Sequence, residues 1–204
     1  MAPLLQRALV PEAAGLDATG ERIVAAALSQ FEDFGIRRTT MEDVARRAGV
    51  SRVTIYRRFP QKERLIETVV LREVHSFFAQ VEAAVAPLGS VEERIVEGFA
   101  FTLAAARGHG LLTRLLRTEP ETLLPHLTVE GGPLIAAGRA FLARQMRIAQ
   151  SDVPEADLEV VAELVGRLVL SFLLTPESAA AVQSPRKARE FARRWIAPLM
   201  LGQS

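Results

Sequence analysis

Apolar residues recur along nearly the whole chain at three- and four-residue intervals, and no five-residue stretch alternates apolar with polar side chains as a half-buried strand would. The pattern predicts an all-α protein of about nine helices. A first helix over residues 19–34 carries Val24, Ala27, Leu28 and Phe31 on one face and stops at Gly35. Thr40 followed by Asp43 reads as a capping box for a second helix, 41–48, ended by Gly49. Ser51 caps a short third helix, 52–58, which Pro60 prevents from continuing. Two short helices flanking Gly49-Val50-Ser51 have the spacing of a helix-turn-helix, with Val50 tucked between them.

The helical period then runs unbroken over 61–86, through Leu65, Val69, Val74, Phe77, Val81 and Val85, as far as Pro87. At 1.5 Å per residue this helix is roughly 38 Å long, enough to connect two lobes. Ser90 with Glu93 caps a fifth helix ending near Arg107, and a sixth covers 111–118. A Pro-punctuated loop extends to Pro133, followed by a helix over 134–150. Asp152 with Glu155 caps the eighth, which reaches Thr175, and Ser184-Pro185 opens the ninth. Residues 1–16, broken by Pro3, Pro11 and Gly15, are expected to form a flexible arm. The organisation anticipated is therefore an arm (1–16), a helix-turn-helix head (17–63) and a helical body (64–204).

Composition narrows the class. With 49% hydrophobic and 24% charged residues in 204, the chain is a folded protein of at most two lobes. Its uncharged stretches, 168–176 among them, are far short of the ~20 residues a spanning helix needs, so no membrane partner is expected and cytoplasmic residence is the default. The absence of cysteine removes disulfides, thiolate zinc sites and Cys nucleophiles. The formal charge of +1 is unevenly spread. Residues 36–64 hold nine bases and three acids, a net +6, which leaves −5 for the rest. A basic head on a mildly acidic body is the footprint of a nucleic-acid binder.

Nothing in the chain organises a catalytic centre. His75, His109 and His126 lie on different elements and form neither H-x-x-x-H nor H-E-x-x-H. Gly108-His109-Gly110 lacks the third glycine and the strand of a dinucleotide loop, and there is no nucleophile elbow or Walker loop. No enzyme, metal or cofactor is expected. A small helical enzyme, the remote alternative, would need a polar pocket with a positioned base.

The basic window, by contrast, is ordered. Ser51, Arg52, Val53, Thr54, Tyr56, Arg57 and Arg58 crowd onto one two-turn helix, and Thr39 and Thr40 open the preceding one. A helix of that length fits the DNA major groove, its first residues facing base edges while hydroxyl, Tyr and Arg groups grip phosphates. Arg52 either reads a guanine through O6 and N7 or holds a phosphate; Val53 either touches a thymine methyl or packs inward.

The stretch IVAAALSQFEDFGIRRTTMEDVARRAGVSRVTIYRRFPQKERLI, residues 23–66, resembles the DNA-binding head of the tetracycline-repressor (TetR) family of bacterial transcription regulators. The likeness rests on the alanine-rich first helix, Phe31-x-x-x-Gly35, Thr39-Thr40, the Ala45-x-x-Ala48-Gly49-Val50-Ser51 turn, Thr54-Ile55-Tyr56 and Phe59-Pro60-x-Lys62-Glu63. Gln61 departs from the more usual Ser or Asn cap. The resemblance implies that Thr40 contacts a phosphate, that Ser51, Arg52, Thr54, Tyr56 and Arg57 lie in or beside the groove, and that Lys62 holds a backbone phosphate.

It further implies a homodimer joined through its last two helices, which places two recognition helices about one DNA turn apart on a near-palindromic operator. The residues agree. The eighth helix is polar only along Glu159, Glu163 and Arg167, and the ninth has an apolar seam opposite Arg189, Arg193 and Arg194. Leu164, Leu168, Phe172, Phe191, Trp195 and Leu199 are the candidate interface. Family members commonly carry a small-molecule effector pocket in the body. Phe77, Phe101, Leu115, Phe141, Met146 and Phe172 are candidates to line it, although the same residues would serve plain core packing. Arg107, His109, Arg114 and Arg117 could meet an anionic group. The function expected is a repressor released by a hydrophobic or amphipathic ligand; the alternative is a body that only dimerises or binds a protein.

Overall fold

Capping chemistry fixes the first helices to within a residue or two of the sequence pattern. The computed structural model of the chain describes residues 16–148, 154–180 and 182–202. Asp17 accepts a hydrogen bond from the Gly20 amide at 2.8 Å and starts α1 (Ala18–Phe34), which ends where Gly35 turns to φ +86°. Thr40 and Asp43 bond reciprocally at the start of α2 (Met41–Ala48), and Gly49 closes it in the left-handed region at φ +64°. Ser51 accepts from the Thr54 amide to begin α3 (Arg52–Arg58). α4 (Lys62–Val85) and α5 (Val91–Gly108) follow, the second behind the Ser90–Glu93 capping box.

His109 caps α6 (Gly110–Thr118) by accepting from the Leu112 amide through Nδ1. The stretch expected as a loop contains a helix, α7 (Pro120–Leu127). Pro120 sits at its first position, where a missing N–H costs nothing, so that proline starts a helix rather than breaking one. α8 (Gly132–Ile148) and α9 (Glu155–Leu174) come next; the proposed Asp152 cap lies outside the described residues. Ser184 caps α10 (Pro185–Phe191), which runs on through a π-helical turn (Ala192–Ile196) into a last α-turn (Ala197–Leu201). Pro198 accounts for the π turn: its ring clashes with the carbonyl four residues back, and the Ala197 amide bonds Ala192, five residues back, instead. No strand occurs among the described residues.

The described chain divides into two compact units. The first comprises 16–75 and 109–130. Its core joins Ile23, Val24, Ala27 and Phe31 of α1 to Val44 of α2, Ile55 of α3, and Leu65 and Val69 of α4. Leu111 and Leu115 of α6 are buried in this same core. Thus α6 and α7 pack with the head, whereas the sequence pattern assigned everything after residue 63 to a separate body. Nothing in a local period says which neighbour a helix face will cover.

The second unit comprises 76–108 and 131–202. α5 is its central helix, with Ile95, Val96, Phe99 and Leu103 against Met146 of α8, Val165 and Phe172 of α9, and Ile196 and Met200 beyond α10. Phe99, Phe172 and Phe191 form a closed aromatic trio with ring centroids 5.3–6.3 Å apart.

Candidate nucleic-acid interface

Ile55, fully buried, anchors the inner side of α3 to the head core, and this pins the outer side in solvent. That outer side presents Ser51, Arg52, Val53, Tyr56, Arg57 and Arg58, all exposed, with Thr54 half-buried among them. Val53 is 75% exposed, so inward packing is ruled out for it and an apolar contact to a partner is left. The Ser51 hydroxyl lies 2.9 Å from that of Thr54, in addition to capping the helix. Arg58 pairs with the capping carboxylate Asp17, whereas Arg38 and Arg57 pair with no described acid and remain open to an anionic partner.

Glu42, in the first turn of α2 and in the sequence simply an acid, sits against the exposed side of α3. Its Oε1 forms an ion pair with Arg52, 3.1 Å from Nε, and accepts from the Tyr56 hydroxyl at 3.3 Å. The Arg52 guanidinium also lies over the Tyr56 ring, 5.7 Å from its centroid. Thr40 is exposed at the start of α2, where its hydroxyl donates to Asp43 at 2.6 Å and holds that carboxyl below its ordinary range.

Two expected phosphate contacts are drawn inward instead. Thr39 is 2% exposed, and its hydroxyl donates to the Gly35 carbonyl at 2.7 Å, closing the end of α1. Lys62 donates from Nζ to the Ile36 carbonyl at 2.6 Å, and burial pushes its pKa down even though Glu63 and Glu119 oppose that shift. It clasps the start of α4 to the turn after α1. Neighbouring residue types could not reveal this, because the carbonyls concerned come from a turn four positions away for Thr39 and 26 for Lys62.

The candidate ligand residues are divided among several packing groups. Phe141 stacks on Phe78 at 4.7 Å, with Phe77 edge-on to Phe78 at 6.0 Å. Phe101 is half-buried on α5, Met146 and Phe172 are spent in the core, and Leu115 belongs to the head core. A cleft of about 170 Å³ lies between α5 and the start of α10, beside Leu103, Arg107 and Val182. Arg107 donates to the carbonyls of Val182 and Phe172, and His109 is held 3.1 Å from Glu73 besides capping α6. Among the candidate interface residues, Trp195 (57%), Leu164 (46%) and Leu199 are exposed, as is Val160 on α9. Phe172 and Phe191 are not available, because the aromatic trio holds them, and Leu168 packs half-buried against the same core.

A short cationic helix braced on a three-helix core, preceded by a capped helix and a glycine turn, is the architecture of helix-turn-helix DNA-binding transcriptional regulators. The family model described as bacterial regulatory proteins, tetR family, matches residues 23–69, and that of the tetracycline-repressor C-terminal domain matches residues 91–194. The chain belongs to the TetR family, and it is therefore a transcriptional regulator and not an enzyme. An uncharacterized HTH-type transcriptional regulator of Mycobacterium tuberculosis is 33% identical over 159 residues, spanning 69% of this chain and 82% of that one. The regulator AlkX of the same species is 30% identical over 161 residues, 76% of each chain. The crystal structure of the TetR family repressor AlkX from Dietzia sp., implicated in biodegradation of n-alkanes, superimposes with a TM-score of 0.67. It does so over 92% of this chain and 97% of its own at 23% identity, an agreement of fold. Among the described residues no helix is long and apolar enough to cross a membrane.

Proposed function

We propose that the chain is a cytoplasmic repressor that binds a near-palindromic operator as a homodimer and is released by a small hydrophobic or amphipathic effector. The observation that carries the DNA half of this reading is the exposed face of α3: Arg52, Val53, Tyr56 and Arg57 in solvent around one buried anchor, Ile55. Arg52 is assigned to a guanine, Val53 to a thymine methyl, and Thr40, Ser51, Thr54, Arg57 and Arg58 to the sugar-phosphate backbone. Dimerisation is supported by the exposed apolar row of Val160, Leu164, Trp195 and Leu199 on the second unit, which water disfavours and a twofold copy would cover. Two recognition helices on such a dimer engage half-sites roughly 34–36 Å apart.

The apolar core of the second unit supports a hydrophobic or amphipathic effector, as does the fold neighbour from Dietzia, a repressor implicated in biodegradation of n-alkanes. Release requires the effector to favour the conformation that cannot span the two half-sites, since equal affinity for both would shift nothing. The 170 Å³ cleft is smaller than the ~300 Å³ and upward of ordinary ligand pockets, so it would not by itself hold such an effector; the second reading is a body that only dimerises. One experiment separates them: select duplexes from genomic DNA with the full chain, determine the stoichiometry of the complex, and titrate in medium-chain alkanes and fatty acids. A twofold-symmetric site carrying two chains and released by the aliphatic compound supports the proposal. A single chain per site overturns dimeric recognition, and a dimer indifferent to every aliphatic compound leaves the purely dimerising body.

A further inference from the structure

The geometry points to Glu42 as the positioning residue that sets base selectivity in the recognition helix, holding the Arg52 guanidinium by an ion pair beside the Tyr56 ring. This rests on the assignment of Arg52 to a guanine. A guanidinium has two pairs of N–H groups able to grip O6 and N7 together, the Nε–Nη side and the Nη–Nη end. The Glu42 carboxylate lies 3.1 Å from Nε in an ion pair, which draws the guanidinium to one side while leaving its N–H pairs available to O6 and N7.

Three contacts restrict the same group. The carboxylate is ion-paired with the guanidinium, the Tyr56 ring lies beneath it at 5.7 Å, and the Tyr56 hydroxyl donates to the same Glu42 oxygen at 3.3 Å, tying the ring in place. Arg52 and Tyr56 stand four residues apart on one face of α3, so all three groups share a single exposed patch. An arginine on such a short helix would otherwise sweep between the base edge and the nearest phosphate, and a phosphate contact carries no sequence information. Fixing its rotamer lowers the ordering cost of the base contact. The negative charge of Glu42 also makes any arrangement that brings a phosphate to this patch unfavourable. Selectivity thus gains from the alternative being penalised as well as from the guanine being gripped.

The test uses the full-length chain and a pool of random-sequence duplexes. Wild-type selection defines the bound sequence, and Arg52→Ala locates the guanine, whose preference over the other bases it should abolish. Glu42→Ala should lower that guanine preference about 10-fold while tightening binding to unrelated duplex. It should also steepen the salt dependence by about one unit, because the released Arg52 then reaches a phosphate. Glu42→Gln keeps the acceptor for the Tyr56 hydroxyl but loses the charge that pairs with Arg52, so it should tighten unrelated duplex and lower the guanine preference as Glu42→Ala does. Urea unfolding midpoints identify any variant whose folded fraction has changed. If Glu42→Ala weakens every duplex by one common factor, or if Glu42→Gln retains the wild-type guanine preference, the positioning role is overturned. If Arg52→Ala itself changes no base preference, the assignment of Arg52 fails first and the role of Glu42 with it.

Discussion

The carboxylate of Glu119 lies against the α-carbon of Gly35, so closely that a β-carbon there would meet Oε1 at 2.0 Å. Glu119 is 6% exposed and accepts from the Arg37 amide at 3.2 Å through its other oxygen. An acid from the α6–α7 junction is thereby seated on the turn that links α1 to α2. Gly35→Ala should therefore destabilise the head by about 2 kcal/mol or more, through the clash and through the positive φ. In a double-mutant cycle, Glu119→Ala should cost less in the Gly35→Ala background than alone, because it removes the obstacle. Strictly additive urea midpoints would deny the contact.

Thr39 and Thr40 are adjacent yet should respond oppositely. Thr39→Val keeps the shape but leaves the Gly35 carbonyl without its buried donor, so it should cost about 1–3 kcal/mol of stability with base preference unchanged. Thr40→Val loses the α2 cap, about 1 kcal/mol, and should additionally weaken binding to all duplexes alike. Unfolding curves read beside binding isotherms separate the two effects; loss of DNA affinity in a fully folded Thr39→Val would reverse the assignment.

The elements whose ends are written in local chemistry were legible in the sequence. Asp43 behind Thr40, Gly49, Ser51 and Pro60 fix α2 and α3 to the residue, because caps and breakers act over three or four positions. What was not legible depends on contacts between distant segments. Leu115 has the same helical period whether it lines an effector pocket or the head core, and it lies in the head core. Lys62 and Thr39 carry the residue types of phosphate ligands, but carbonyls of the turn after α1 claim them. Glu42 gave no signal, since an acid in a first helical turn is ordinarily a response to the helix dipole.

The exposed row on the second unit leads to a sharper dissection of dimerisation. Leu164→Glu and Trp195→Glu should yield monomers by sedimentation with the helical signal intact, since both side chains are about half exposed in the single chain. Phe191→Glu should unfold the body instead, at about 3–5 kcal/mol, because its ring lies 5.3 Å from Phe172 and 5.8 Å from Phe99. Dimers that persist in both surface variants would move the interface elsewhere.

Glu97 and Arg189 provide a pH-dependent link inside the second unit. Arg189 donates from Nε to Oε2 at 2.6 Å and from a terminal nitrogen to Oε1 at 2.8 Å, and these bonds hold the Glu97 carboxyl below its ordinary 4.5. A carboxyl with a depressed folded pKa binds fewer protons when folded than when unfolded. Its stabilisation is therefore complete above about 4.5, the unfolded value, and disappears as pH falls through the lower folded value. Arg189 is raised in turn, above a range already too alkaline to matter. Both side chains are partly exposed, so the increment should be about 1 kcal/mol or less at neutral pH. Glu97→Gln should show that deficit at pH 7, and the gap to wild type should close between pH 5 and pH 3 as the native carboxyl takes up its proton. Urea midpoints measured across that interval check the sign, and a gap that stays constant or widens on acidification would show that the pair does not couple folding to protonation.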